Sequence, residues 1–259
     1  MQNKIIIANW KANPTTLDEA MEIFDFCLGE ISKYQNIQLI ICPPSVYLEE
    51  LSKKLIADNR QLAIGLGVQD IFWEKSGPYT GEVSIDMLKE FNISHALVGH
   101  SDRRYKIGES DEIINRKAKA ALAADITPVL LVGEKNCGDD LAAVLEQQLS
   151  AGLAGLTAEQ VTKILIAYEP VWAISTTPGA ESDTPDNILK AIGLISNYLI
   201  SGYDFRTGQM PGFLYGGSIN DKNIVDFLKH QEISGAVIGG ASLRKEEFAE
   251  ILEKVSNLL

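Results

Sequence analysis

One segment of the chain reads Lys163-Ile164-Leu165-Ile166-Ala167-Tyr168-Glu169-Pro170-Val171-Trp172-Ala173-Ile174. Its apolar residues are typical of a strand that is buried on both faces, as in parallel sheets covered by helices. Pro170 lacks an amide hydrogen and favours extended geometry at the residue before it, so we expect the strand to end at Glu169. The segment therefore predicts a carboxylate at the carboxyl edge of a parallel sheet.

The segment after this strand has no apolar period. Residues 175–183 are small, polar or acidic, which predicts a surface loop that can move. Thr184 is then expected to cap a helix with Pro185 in its first turn. Two interpretations of Glu169 are open at this point, a functional carboxylate and a solvated carboxylate beside an ordinary loop.

The same alternation of strand and helix continues on both sides of this segment. Apolar runs predict eight strands, at residues 4–8, 37–42, 62–68, 96–98, 128–132, 163–168, 213–215 and 236–238. A predicted helix follows each strand. The first two start near residues 15 and 43, and the other six lie near 84–90, 111–124, 139–153, 185–201, 220–229 and 245–258. Eight such units predict a (βα)8 barrel of eight parallel strands, forming one domain over residues 1–259.

An open, doubly wound sheet is the main alternative to the barrel. Such a fold usually carries G-x-G-x-x-G after its first strand, where this chain has Asn9-Trp10-Lys11. Glycine turns instead follow the last two predicted strands, where barrels commonly bind phosphate, at Gly216-Gly217-Ser218 and Gly239-Gly240-Ala241-Ser242. The glycine positions favour the barrel.

Composition excludes several classes of partner. The formal net charge is -12 and no Lys/Arg run builds a basic patch, so we expect no nucleic acid and no membrane as partners. No stretch approaches the about 18 consecutive apolar residues of a membrane span, and the start of the chain shows no signal-peptide core. Three widely spaced cysteines argue against a disulfide framework and favour a reducing cytoplasm.

Polar residues at the carboxyl ends of the predicted strands are the candidates for chemistry, because barrel active sites lie there. Singly, Lys11 is most simply a solvated cation and His100 a hydrogen-bonded structural residue. Together with Glu169 and a phosphate site they form a set that suits proton abstraction next to a carbonyl and stabilisation of an enediolate. The collected residues are Asn9, Lys11, His100, Ser101, Asp102, Glu134, Glu169 and the two glycine turns.

This chemistry requires no metal or other cofactor. The three histidines, His95, His100 and His230, show no ligand spacing with one another or with cysteine. A covalent serine mechanism lacks the G-x-S-x-G motif, while a Schiff base on Lys11 is unsupported but open.

Five ordered motifs resemble those of the triosephosphate isomerase family, and the resemblance spans all eight units. Asn9-Trp10-Lys11 is similar to the N-terminal motif of that family, and the glycine turns, preceded by Tyr215, resemble its phosphate loops. The histidine and base motifs are Gly99-His100-Ser101-Asp102-Arg103-Arg104 and Ala167-Tyr168-Glu169-Pro170-Val171-Trp172-Ala173-Ile174.

The resemblance implies a role for each matching residue. Glu169 would move a proton between two carbons, and a neutral His100 would move protons between two oxygens. Lys11, assisted by Asn9, would neutralise developing charge. Ser101, Asp102 and Tyr215 would have supporting roles. The phosphate would be bound by the backbone amides of Ser175, Ser218, Gly239 and Gly240.

Two departures from the family pattern affect the predicted site. Asp102 is one methylene shorter than the usual glutamate, which leaves its contact with Lys11 open. In the family, the loop after the base motif closes over the substrate as a lid and usually reads Gly-Thr-Gly-Lys. Here these positions are Ser175-Thr176-Thr177-Pro178, and the loop is about three residues longer than is usual in the family. Three functions are therefore weighed: a triosephosphate isomerase, an isomerase of a four-carbon ketose phosphate such as L-erythrulose 1-phosphate, and a non-catalytic barrel that binds a sugar phosphate.

Residues 70–82 form a long aromatic segment between the third strand and the next helix. The simplest interpretation is a loop folded on its own barrel, with Phe72, Trp73 and Tyr79 buried there. Its end, Pro78-Tyr79-Thr80-Gly81-Glu82, resembles the family loop that inserts beside Asn9 and Lys11 of a second subunit. The resemblance implies a homodimer formed through residues 70–82.

Overall fold

The computed structural model describes residues 3–58, 60–203, 205 and 210–258. Within these residues, eight parallel strands close into a barrel in sequence order, with β8 paired to β1 through Ile5 and Gly235. The predicted (βα)8 architecture, the TIM barrel fold, is therefore confirmed. The strands are β1 Lys4–Asn9, β2 Ile37–Cys42, β3 Ile64–Val68, β4 Ile93–Val98, β5 Thr127–Val132, β6 Leu165–Tyr168, β7 Gly212–Tyr215 and β8 Gly235–Ile238.

Helices connect the strands around the outside of the barrel. Those in the described part of the chain are α1 Leu17–Ile31, α2 Leu48–Ala57, α3 Ile85–Leu88, α4 Asp111–Ala123, α5 Leu141–Gly152, α6 Ala158–Thr162, α7 Pro185–Gly202, α8 Ile224–Leu228 and α9 Lys245–Ser256. None of these helices has the length and apolar composition that a bilayer crossing requires.

Most differences from the predicted elements have local causes. β4 begins three residues early, at Ile93, because the polar pair Ser94-His95 hides its start from an apolar pattern. The short helix α6 was missed, although Thr157 and Gln160 form a capping box before it. α8 is shorter than predicted because the side chain of Asn220 accepts hydrogen bonds from the next backbone amides and holds a turn there.

The start of α7 differs from its predicted capping. Thr184 has the extended backbone of a capping residue and Pro185 opens the helix, but the Thr184 side chain makes no capping hydrogen bond. The carboxylate of Asp183 contacts the helix start instead: its Oδ1 accepts hydrogen bonds from the Thr184 amide and from the Asn187 side chain, at Nδ2, each at 2.7 Å. Asp183 thus joins the preceding loop to α7.

Side-chain alternation along the strands decides which residues point into the barrel. Ile7 and Ala167 belong to the buried cluster inside the barrel, whereas Ala8 and Tyr168 pack in the layer between the strands and the helices. Asn9 lies two residues after Ile7, and Glu169 lies two residues after Ala167. The same alternation therefore turns both polar side chains into the carboxyl-end mouth of the barrel.

Candidate active site

Glu169 lies directly beyond β6, where a close backbone approach holds it. Its amide donates to the Val132 carbonyl over 2.8 Å, which continues the pairing with β5. A Cβ at Gly133 would lie 2.3 Å from the Glu169 backbone oxygen, so only glycine fits at that point of the neighbouring strand. The Glu169 side chain is only 3% exposed.

The carboxylate of Glu169 is held by the residues that follow β4. The Ser101 amide donates to Oε2 at 2.8 Å, and the Ser101 hydroxyl donates to Oε1 at 3.1 Å. Nε2 of His100 lies 3.2 Å from the same Oε1. The adjacent residues His100 and Ser101 therefore both contact the carboxylate of Glu169, although Glu169 belongs to a different strand end.

The hydrogen bonds of His100 fix the state of its ring. The Asp102 amide donates to Nδ1 over 3.0 Å, at the start of a single π-helical turn, Asp102–Ile107. Because Nδ1 accepts this hydrogen bond, the ring proton belongs on Nε2, the atom that faces Glu169. The geometry corresponds to a neutral imidazole that can donate from Nε2.

Lys11 occupies a strained backbone position beside Asn9. Its φ of 54° lies in the left-handed region, which is uncommon for a residue with a side chain and often marks a functional site. Oδ1 of Asn9 accepts from the Lys11 amide at 3.0 Å, and Nε2 of Gln69 donates to the Lys11 carbonyl at 2.7 Å. Sequence analysis had not singled out Gln69.

Asp102 keeps a contact with Lys11 despite its short side chain. The Lys11 Nζ atom lies 3.2 Å from Oδ2 of Asp102, and the Lys106 Nζ atom lies 2.7 Å from Oδ1. Partial burial raises the pKa of the Asp102 carboxyl, but Lys106 and Lys11 outweigh this effect and hold the pKa below its usual value. The contact left open by the sequence is therefore made.

The predicted residues converge on one cavity of about 310 Å³ at the mouth of the barrel. Ser101, Asp102 and Tyr215 lie outside its lining, each behind a lining residue that it contacts or adjoins. The predicted residues that do line it are Asn9, Lys11, His100, Glu169, Ser175, Ser218, Gly239 and Gly240.

The glycine turns leave free space on the cavity side. A Cβ at Gly239 would come no closer than 3.6 Å to a protein atom, and one at Gly240 no closer than 3.5 Å. Contacts with the protein therefore do not explain glycine at these two positions. Gly217 is different, because a Cβ there would meet the Tyr215 hydroxyl at 2.2 Å.

The start of the loop 174–182, here called the lid, is attached to the turn after β7. The Ser175 amide donates to Oγ of Ser218 at 2.7 Å, and that hydroxyl donates to the Ala173 carbonyl at 2.7 Å. The Ser175 amide therefore has a protein partner in this structure. Release of this bond would free the amide to face the cavity.

Glu134 was collected from the sequence without a role, and the structure places it beneath the start of the lid. Its Oε1 accepts from the Tyr168 hydroxyl at 2.8 Å and from Nε1 of Trp172 at 2.6 Å. Its Oε2 is buried without a protein partner. Burial and the adjacent Glu134 raise the pKa of Tyr168. In the sequence, only the position of Glu134 just after a predicted strand indicated that this residue lies at the active-site end of the barrel.

In the described part of the chain, no group of three or more His, Cys, Asp or Glu side chains is arranged to hold a metal ion. Cys27 and Cys42 are buried, and burial raises the pKa of the Cys27 thiol to about 12. The lining of the active-site cavity supplies the carboxylate of Glu169, the imidazole of His100 and the ammonium group of Lys11, together with backbone amides.

Comparison with known proteins agrees with this geometry. The model of the family described as triosephosphate isomerase matches residues 4–255. The chain belongs to the triosephosphate isomerase family. A triosephosphate isomerase of Dictyoglomus thermophilum is 41% identical over 257 residues, which cover 98% of this chain and 100% of the relative. Triosephosphate isomerases of Dehalococcoides mccartyi and Endomicrobium trichonymphae are 40% and 38% identical, covering 99% and 98% of this chain and 98% and 99% of the relatives.

Proposed function

We propose that this protein interconverts dihydroxyacetone phosphate and D-glyceraldehyde 3-phosphate through an enediolate, without a cofactor. Membership of the triosephosphate isomerase family supports an aldose-ketose isomerase, an intramolecular oxidoreductase that acts on a phosphorylated sugar. The reaction moves one proton between adjacent carbons and one between adjacent oxygens. It therefore requires a base and a group that can both donate and accept a proton.

Glu169 and His100 are the proposed pair for these transfers. The carboxylate of Glu169 removes the proton from the carbon next to the carbonyl and returns it to the neighbouring carbon. His100 donates from Nε2 to the carbonyl oxygen, because its Nδ1 is already occupied by the Asp102 amide. The observation that carries the proposal is the 3.2 Å approach of His100 Nε2 to Glu169 Oε1 inside the cavity.

Two further groups in the cavity suit the developing negative charge. The ammonium of Lys11 faces the cavity and is oriented by Asp102. The Asn9 side chain holds the Lys11 backbone in its left-handed conformation. A cation and an amide that are fixed before the reaction stabilise charge without reorganisation during it.

The phosphate is proposed to bind between the lid and the two glycine turns. Backbone amides of Ser175, Ser218, Gly239 and Gly240 are the donors, and the space beside both glycines admits a phosphate oxygen. Because the whole protein carries a net charge of -12, these local donors must outweigh the general field.

A coupled isomerisation assay tests this function. Purified protein with dihydroxyacetone phosphate should produce D-glyceraldehyde 3-phosphate, and Glu169→Gln should remove nearly all of this activity. Glu181→Gln makes the same chemical change on the exposed lid and serves as the matched control. Absence of turnover by the wild-type protein would reject the proposal.

The composition of the lid carries a second candidate function. Ser175 and Thr177 restrict the lid backbone more than glycine would, and the Thr177 hydroxyl donates to the Val171 carbonyl at 2.7 Å. A lid fixed in this way leaves a differently shaped space at the sugar end. The alternative is the same chemistry on a four-carbon ketose phosphate. A sugar-phosphate sensor without catalysis has no use for a buried Glu169 beside His100.

We also propose a homodimer in which residues 70–82 of one copy enter a cleft of the other. A cleft of about 490 Å³ is lined by Asn9, Lys11, Gln69 and Ile107, so a guest segment would reach the active site. Tyr79 is 42% exposed in the single chain, whereas Phe72 is buried and Trp73 packs under Arg116 at 4.4 Å. Tyr79 is therefore the aromatic residue available to a second copy.

The barrel is proposed to act as one catalytic domain over residues 1–259 in the cytoplasm. The strands of one closed sheet and the segments that follow them supply the cavity lining, which supports a single unit. The three cysteines include no disulfide in the described residues, which agrees with a reducing compartment.

A further inference from the structure

The far end of the lid is attached through a residue that the proposed mechanism does not use. Asp183 follows the lid directly and does not line the active-site cavity. Its Oδ1 accepts from the Thr184 amide and from Asn187 on α7, which fixes the carboxylate to a rigid helix. Its Oδ2 accepts from the Tyr215 hydroxyl at 3.0 Å. One side chain therefore joins the lid, α7 and the end of β7.

Tyr215 is a rigid partner for this bond. The side chain is fully buried, and its ring stacks on Phe227 with centroids 4.2 Å apart and an interplanar angle of 13°. Its hydroxyl lies over Gly217, where a Cβ would approach it to 2.2 Å. The position of the hydroxyl is therefore set by the core and by the turn 216–218 together.

Both ends of the lid are thus held by the end of β7 and the turn that follows it. The first end is bound by Oγ of Ser218, which contacts the Ala173 carbonyl and the Ser175 amide. The second end is bound by Asp183 through Tyr215. A hydrogen bond at each end of the lid shortens the segment that can move, so less conformational entropy is lost when the lid closes.

We propose that Asp183 is a positioning residue for lid closure, acting through Tyr215 rather than through the substrate. This inference rests on the proposed function and extends it to the far end of the lid. The carboxylate fixes the position of the far end of the lid relative to the turn 216–218. That turn supplies one of the proposed phosphate donors, the Ser218 amide. Without the Asp183 carboxylate, the lid retains its sequence and its attachment to Ser218 but loses its attachment to Tyr215.

The kinetic test compares two substrates and two variants of Asp183. Asp183→Ala should lower kcat/KM for the triose phosphate about tenfold, the scale of one lost hydrogen bond to a charged group, mostly through a higher KM. Hydrogen exchange of phosphate-free glyceraldehyde should change less than about twofold, because that substrate cannot draw the lid onto a phosphate. Asp183→Asn can still accept from α7 and bond Tyr215, so it should restore most of the activity.

Two further variants separate positioning from general damage. Asp186→Ala removes an exposed carboxylate from the first turn of α7, three residues after Asp183, and should behave as the wild-type protein. In a Tyr215→Phe background, Asp183→Ala should add little further loss, since both changes remove one bond. Equal losses with both substrates, or additive losses in the double variant, would overturn the inference.

Hydrogen-deuterium exchange of the lid gives a readout that does not depend on turnover. Peptides that cover residues 174–182 should exchange faster in Asp183→Ala than in the wild-type protein and in Asp186→Ala. Unchanged exchange in Asp183→Ala would overturn the role of Asp183. An inactive wild-type protein would reject the proposed function, while the exchange rates would still decide whether Asp183 holds the lid.

Discussion

Nε2 of His100 lies 3.2 Å from Oε1 of Glu169, although the two residues belong to different strand ends. The Asp102 amide at Nδ1 directs the ring proton towards this contact. Both groups are nearly excluded from water, with exposed fractions of 7% for His100 and 3% for Glu169. A substrate that replaces this contact would meet a base in Glu169 and a proton donor in His100.

His100→Ala should lower kcat steeply, because the hydrogen bond at Nδ1 leaves Nε2 of His100 placed to donate a proton to a substrate oxygen. General acid-base groups typically contribute about 10²- to 10⁴-fold, so a loss of that size is expected. Steady-state kinetics with dihydroxyacetone phosphate measures it. His230→Ala, a change of the same type outside the cavity, is the control. A normal rate in His100→Ala would remove this residue from the mechanism.

Tyr79→Ser should weaken self-association. Burial of a large apolar side chain contributes about 1.5 to 3 kcal/mol, and a symmetric dimer would lose two tyrosines, or about 3 to 6 kcal/mol. Light scattering over a dilution series should show a dissociation constant raised by at least about 100-fold. Ile200→Ser, on an exposed face of α7, is the matched control. A monomeric wild-type protein, or a variant as tightly dimeric as the wild type, would contradict this use of the loop.

Stability should fall as pH falls from about 6.5 to 4, in part because of His95. Burial lowers the pKa of His95 to about 4, so the unfolded chain binds a proton in this window that the folded chain does not. Stability therefore rises with pH across the window, by about 3 kcal/mol from this residue. Denaturant titrations of wild type and His95→Gln should show a smaller pH dependence in the variant. An identical pH dependence of stability in the wild-type protein and in His95→Gln would contradict the lowered pKa of His95.

The lid should decide between substrates of three and four carbons. The cavity side of Gly239 and Gly240 is open, so the phosphate end is expected to bind as in the family, and any difference should arise at the other end of the sugar. We expect measurable deuterium exchange next to the carbonyl with both dihydroxyacetone phosphate and L-erythrulose 1-phosphate, and faster exchange with the triose. Exchange with the tetrose alone would replace the proposed substrate but leave the roles of Glu169 and His100 intact.

The sequence predicted the barrel and the members of its site because both depend on local patterns. Alternating strands and helices determine the barrel, and a polar residue two positions beyond an inward apolar residue points into its mouth, as at Asn9 and Glu169. Contacts between distant segments left no such pattern. The Asp183–Tyr215 bond joins residues 32 positions apart, and the reach of Asp102 to Lys11 depends on side-chain placement. Packing of Trp73 on its own chain was one of the two interpretations of residues 70–82, but no local pattern indicated Arg116 as its partner.

Isomerisation in deuterium oxide tests proton transfer by Glu169 most directly. A base that exchanges its proton with solvent before returning it should place deuterium on carbon 2 of the glyceraldehyde phosphate product. Wild-type protein and Glu181→Gln should do so at equal rates, and Glu169→Gln should be slower by about 10²- to 10⁴-fold. Isomerisation by the wild-type protein without deuterium incorporation, or incorporation by Glu169→Gln at more than about a tenth of the wild-type rate, would contradict the account.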